Sequence, residues 1–115
     1  MLTKAIVLTS VLVVATLPMV RAAGQDPGLA KKGEMLYGAQ KCQTCHAISG
    51  KGNKNNPLDG VGTKLSAAEI REWIVNPVEM TKKTKSTKKP PMPAKYSKLA
   101  AAEIDSLVAY MQSLK

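Results

Sequence analysis

The chain has 115 residues, with 17 bases against 8 acids (formal charge +9), 44% apolar residues, one tryptophan, three tyrosines and no phenylalanine. That length holds one domain, because a chain this short buries only about two-thirds of the surface it exposes when unfolded. The basic excess lies on lysines without interleaved aromatics or arginines, which argues against a nucleic-acid surface.

Met1 to Lys4 carries positive charge, Ala5 to Leu17 is almost wholly apolar, and Pro18 to Ala23 ends in small residues. This is the three-part layout of a secretory signal peptide. The apolar run of about 13 residues falls short of the roughly 20 that span a bilayer. Val20 and Ala22 suit positions −3 and −1, so the reading is a cleaved leader over 1–22 and a mature domain over 23–115. The competing reading, an uncleaved anchor, finds no stop-transfer signal after Leu17. Losing Lys4 and Arg21 leaves 15 bases against 8 acids, a balance of +7. With so few aromatics, a large buried apolar cofactor would supply bulk that a domain of this size otherwise lacks.

Asp26-Pro27 reads as a helix cap followed by a proline at the first helical position, after which Leu29, Gly33, Leu36 and Tyr37 share one face. The pattern runs into Lys41-Cys-Gln-Thr-Cys-His46, the haem-attachment spacing C-x-x-C-H. One turn carries both thiols, where Cys42 and Cys45 can each add to a haem vinyl group, and the adjacent His46 imidazole can bind the iron. Covalent attachment suits a protein that must keep its haem outside the cell. A zinc site would ask for about four ligands where the chain has two Cys and one His. A thioredoxin-like pair would need strands that the patterning does not show. A plain disulfide would close too small a loop to add much stability.

Residues 49 to 64, rich in Gly and Asn, read as a loop. Ser66-Ala-Ala-Glu69 is a capping box, and the stripe Ile70, Trp73, Ile74 stops at Asn76-Pro77. A second loop runs from about Thr81 to Lys95. Ile104, Leu107, Val108, Met111 and Leu114 then repeat at helical spacing, with Lys115 at the negative end of that helix dipole. The result is three helical patterns, no strands and no internal repeat: an all-α domain.

In this order of elements the mature chain resembles a class I cytochrome c along nearly its whole length. The resemblance implies the cytochrome c fold, three main helices and loops wrapped around one covalently bound haem c. It places Gly33 and Tyr37 where the first helix crosses the last, against Leu107 and Tyr110. It also implies that the Pro57 carbonyl accepts a hydrogen bond from His46, a contact that fixes the ring and raises its basicity. Ala100 stands where the family often has a capping Ser or Thr before Glu103, and the lysine-rich segment before Met92 is long for the family.

His46 is the only histidine, so a second imidazole ligand would have to come from another chain. Met1 and Met19 leave with the leader, while Met35 and Met111 lie in helical patterns where core packing is the usual role. Met92, in Pro90-Pro-Met-Pro93, sits in a segment that cannot be helical and whose fixed backbone angles could hold a sulfur toward the iron. Met80, after the Asn76-Pro77 break, reads as a surface residue or part of a short turn. It stays open as an alternative ligand, as does an open or lysine-ligated site.

Ligation by His46 and Met92 would raise the potential and leave no position for oxygen or peroxide, so the remaining chemistry is one-electron transfer. The leading reading is an exported, periplasmic electron carrier with no substrate of its own, hence no enzyme. Two others remain: a haem subunit of a larger periplasmic oxidoreductase of the thiosulfate-oxidising kind, and a ligand-binding or peroxidatic haem protein. Lys82, Lys83, Lys85, Lys88 and Lys89 crowd the segment before Met92. They are either a solvated loop or a surface that draws in acidic redox partners. The mature protein would be a monomer or a subunit of a redox complex, without a stable membrane span.

Overall fold

The computed structural model describes Ala15 and residues 26–115. The expected leader over 1–22, Ala15 excepted, and its cleavage site lie outside the described residues. Among the described residues no helix is long and apolar enough to cross a membrane.

Helix α1 spans Pro27–Ala39 and opens as its sequence dictates. The Asp26 carboxylate accepts from the amides of Gly28 and Leu29 at 2.8 and 3.4 Å, and Pro27 takes a position whose N–H would have no helical partner. α1 crosses α5 (Ala101–Ser113) in the most extensive contact of the fold. Gly33 makes the crossing possible: a Cβ there would run into the Ser106 carbonyl and the Tyr110 Cβ. Beside it the Tyr37 and Tyr110 rings meet edge to face, centroids 5.7 Å apart and planes at 71°. The expected crossing is thus present, with the Ser106 backbone as the surface that Gly33 meets.

After α1 the chain turns through Lys41 in the left-handed region (φ 56°) into a 3-10 turn, Cys42–Thr44. A two-residue hairpin follows, β1 (Ala47–Ile48) against β2 (Lys51–Gly52), antiparallel with Ala47 opposite Gly52. No strands are expected from the sequence, and two residues are too few to show alternation. Ser49 and Gly50, both at positive φ, form the tip. The short helix α2 (Val61–Lys64) breaks the expected loop and rests on the end of α5. There the Gly62 N–H donates to the Leu114 carbonyl at 2.8 Å and the Lys115 ammonium to the Gly62 carbonyl at 3.1 Å. Lys115 therefore ties α2 to the C-terminus.

Helix α3 (Ala67–Val75) carries the full capping box: the Glu69 N–H donates to Ser66 Oγ at 3.2 Å and the Ser66 N–H to the Glu69 carboxylate at 2.8 Å. Asn76 ends α3 but does not end helical structure, because Pro77 restarts it as α4 (Pro77–Thr84). The expected loop from Thr81 thus begins at Lys85. Proline stops one helix and is equally at home in the first turn of the next. Met80, read as a surface or turn residue, is buried in α4, whereas Met35, read as core, is 69% exposed on α1. A 3-10 turn over Ala94–Lys98 leads to α5.

The core gathers Tyr37 of α1, Ile70 and Ile74 of α3, and Ile104, Leu107, Val108 and Met111 of α5. Arg71 and Asp105 add an ion pair between α3 and α5, which at their part exposure contributes less than about 1 kcal/mol. The start of α5 is incompletely capped. The Glu103 carboxylate accepts from the Ala100 N–H at 3.1 Å, but Ala100 has no side-chain oxygen to return the bond. Ala100→Ser is expected to complete the box and add about 1 kcal/mol, seen as a rise of about 4–8 °C in thermal midpoint.

Candidate functional site

The packing of α1, α3 and α5 leaves a cleft of about 770 Å³. Cofactor-sized pockets run to roughly 300–1,000 Å³. Cys42, Cys45, His46, Pro57 and Met92, all singled out from the sequence, line it. Met80 does not. Leu58, Leu65, Ile70, Ile74, Leu107 and Met111 supply an apolar wall.

The attachment segment is held by its own hairpin. The Asn53 N–H donates to the carbonyls of Gln43 and His46, both at 3.0 Å, and its side-chain amide donates to the Thr44 carbonyl at 3.2 Å. Gly52, at φ 106°, lets the chain come close enough, since a Cβ there would strike the His46 carbonyl. Neither residue stands out in the sequence. Asn and Gly in a loop are common, and only the fold shows which of them bond the motif.

The His46 Nδ1–H donates to the Asn56 carbonyl at 3.2 Å. The expected acceptor, the Pro57 carbonyl, is displaced by one residue. A carbonyl can only accept, so this bond places the ring proton on Nδ1 and leaves the Nε2 lone pair available to a metal. Burial pushes the His46 pKa below its ordinary value, outweighing the opposite pull of the Asn56 carbonyl. A neutral imidazole is the form that ligates.

Cys42 and Cys45 are not joined in a disulfide, and each is partly buried. Burial raises the Cys42 pKa, with the charge of Lys95 among the opposing influences. Near Cys42, the Tyr37 hydroxyl is buried and has no hydrogen-bond partner among the described residues. Its pKa is pushed up to about 12, first by burial and then by the nearby Cys42, Tyr110 and Asp59. Among the described residues no three of His, Cys, Asp and Glu come together to hold a bare metal ion. The donor set on the cleft, one imidazole, two thiols and the thioethers of Met92 and Met111 among apolar side chains, fits instead a large apolar group that carries its own metal.

Comparison with curated proteins and with solved structures gives no significant match. A family model described as Cytochrome c matches residues 30–115, from the first half of α1 through the motif and the cleft to the end of the chain. The chain therefore belongs to the cytochrome c family, as a class I c-type cytochrome whose domain carries haem c and transfers electrons.

Proposed function

We propose that this protein is an exported carrier holding one haem, attached through Cys42 and Cys45 and ligated by His46 and Met92, and that it works in the periplasm. The observation that carries the reading is the meeting of these four residues on one apolar cleft, although Met92 lies 46 residues from His46 in the chain. The haem supplies one-electron exchange at its iron. The chain does the rest. His46, turned by the Asn56 carbonyl, offers Nε2; Met92 offers a thioether, which favours the reduced metal; the apolar wall keeps water from the group. With His46 and Met92 both holding the iron, no position would be left for a substrate, and the protein would be no enzyme.

Its partners would be acidic. Lys88, Lys89 and Lys95 line the cleft, and Lys82, Lys83 and Lys85 lie just before them. Exposed charges of one sign beside the redox group raise the encounter rate with a partner of the other sign. The attachment test is direct. Haem should stay with the polypeptide through acid-acetone extraction and denaturing electrophoresis, and the intact mass should show one haem. Extractable haem, or an unchanged result in Cys42→Ala/Cys45→Ala, would overturn the proposal.

A further inference from the structure

The segment that carries Met92 has few means of holding itself in place. Pro90, Pro91 and Pro93 have no N–H to donate, and residues 85–93 form no helix or strand. Its backbone bonds are local: Lys85 to the Lys82 carbonyl, Ser86 to the Thr81 carbonyl, and Lys88 to Ser86 Oγ. Besides Met92, which packs against the core, one side chain of the segment hydrogen-bonds elsewhere among the described residues. The Lys88 ammonium donates to the Asn55 carbonyl at 3.0 Å, joining positions 33 residues apart. Further along, the Tyr96 hydroxyl approaches the Gln40 carbonyl at 3.5 Å, just after the end of α1. Met92 thus lies midway between two points at which its segment is pinned to the other side of the cleft.

The far end of the Lys88 bond matters equally. Asn55 immediately precedes Asn56, whose carbonyl fixes the His46 ring. One hydrogen bond therefore links the segment presenting the thioether to the loop orienting the imidazole. Lys88 is exposed, so its charge is screened, but an ammonium held on a backbone carbonyl still limits where the segment can go.

We propose that Lys88 is a positioning residue for Met92: by strapping the Met92 segment to the Asn55-Asn56 turn it holds the thioether at the cleft and slows its release. The proposal rests on Met92 being the distal ligand.

The test is the rate at which imidazole replaces Met92 in the ferric protein. Imidazole is chosen because its neutral form does not respond to the loss of a positive charge as cyanide would. At saturating imidazole the observed rate becomes the rate at which the thioether leaves. Lys88→Met should raise that limiting rate about threefold to tenfold. Lys88→Arg, which keeps the donor, should stay near wild type, as should Lys98→Met, an exposed charge outside the segment. The denaturant midpoint of Lys88→Met should match wild type within error. If Lys88→Met matches wild type in rate, or Lys98→Met accelerates equally, the strap is overturned and the ligand assignment stands. A fall in midpoint that accounts for the faster release overturns it too. If wild-type ferric protein lacks the near-infrared sulfur-to-iron band and its imidazole rate never saturates, the ligand assignment itself fails, and the strap with it.

Discussion

Met92→Ala is expected to erase the near-infrared charge-transfer band of the ferric protein and open the iron to cyanide within the mixing time, while Met80→Ala leaves the spectrum unchanged. The two methionines are 12 residues apart in a lysine-rich stretch, and the sequence alone offers both as ligands. The cleft separates them. Met92 lines it with His46, whereas Met80 is 7% exposed, buried on α4 and absent from the cleft wall. The two substitutions should therefore fail in different ways. Met92→Ala removes the thioether that favours Fe(II), so the reduction potential falls and small ligands enter. Met80→Ala leaves the iron alone but empties a packed position, costing about 2–5 kcal/mol of stability. A lost band in Met80→Ala with an intact one in Met92→Ala would transfer the ligand to Met80 and undo the assignment. An unchanged spectrum in both, together with rapid binding of cyanide or peroxide by the wild type, would favour a ligand-binding protein over a carrier.

The second large effect is at the helix crossing. Gly33→Ala should lower stability by roughly 3 kcal/mol or more, because the added methyl meets the backbone of Ser106, which cannot swing aside as a side chain would. Helix propensity returns at most about 1 kcal/mol of this. For a domain of this size the thermal midpoint should fall by more than about 10 °C. Gly38 in the same helix is the matched control. A Cβ at Gly38 would meet nothing within 4 Å, so Gly38→Ala should gain about 0.5–1 kcal/mol from propensity alone. Equal effects at the two positions would mean that α1 and α5 do not cross as described. Loss of the crossing would also loosen Tyr37, which packs on Tyr110 and lines the cleft, so haem retention under denaturant should weaken in Gly33→Ala alone.

The legible features of this protein share one property: their causes lie within a few residues. The spacing of Cys42, Cys45 and His46, the Asp26-Pro27 cap, the Ser66-Glu69 box and the apolar repeat of α5 are local geometry. A glycine placed one turn before Tyr37 and a methionine set among prolines are likewise marked by their neighbours, and the structure puts the first at the helix crossing and the second on the cleft. An all-α domain, its attachment motif and its imidazole all follow from such local signals. Other features depend on which parts of the chain meet. Asn56 rather than Pro57 accepts the His46 hydrogen bond because Asn53 folds the 53–57 turn back onto the motif. Met35 faces water and Met80 the core because helical periodicity marks a stripe without saying what will cover it. Pro77 begins a helix after ending one because its fixed φ suits the first turn of α4 as well as it stops α3, so the residue by itself does not say which structure follows. Lys88 meets Asn55 through folding alone, because a bond across 33 residues follows from the closure of the cleft and leaves no trace in local spacing.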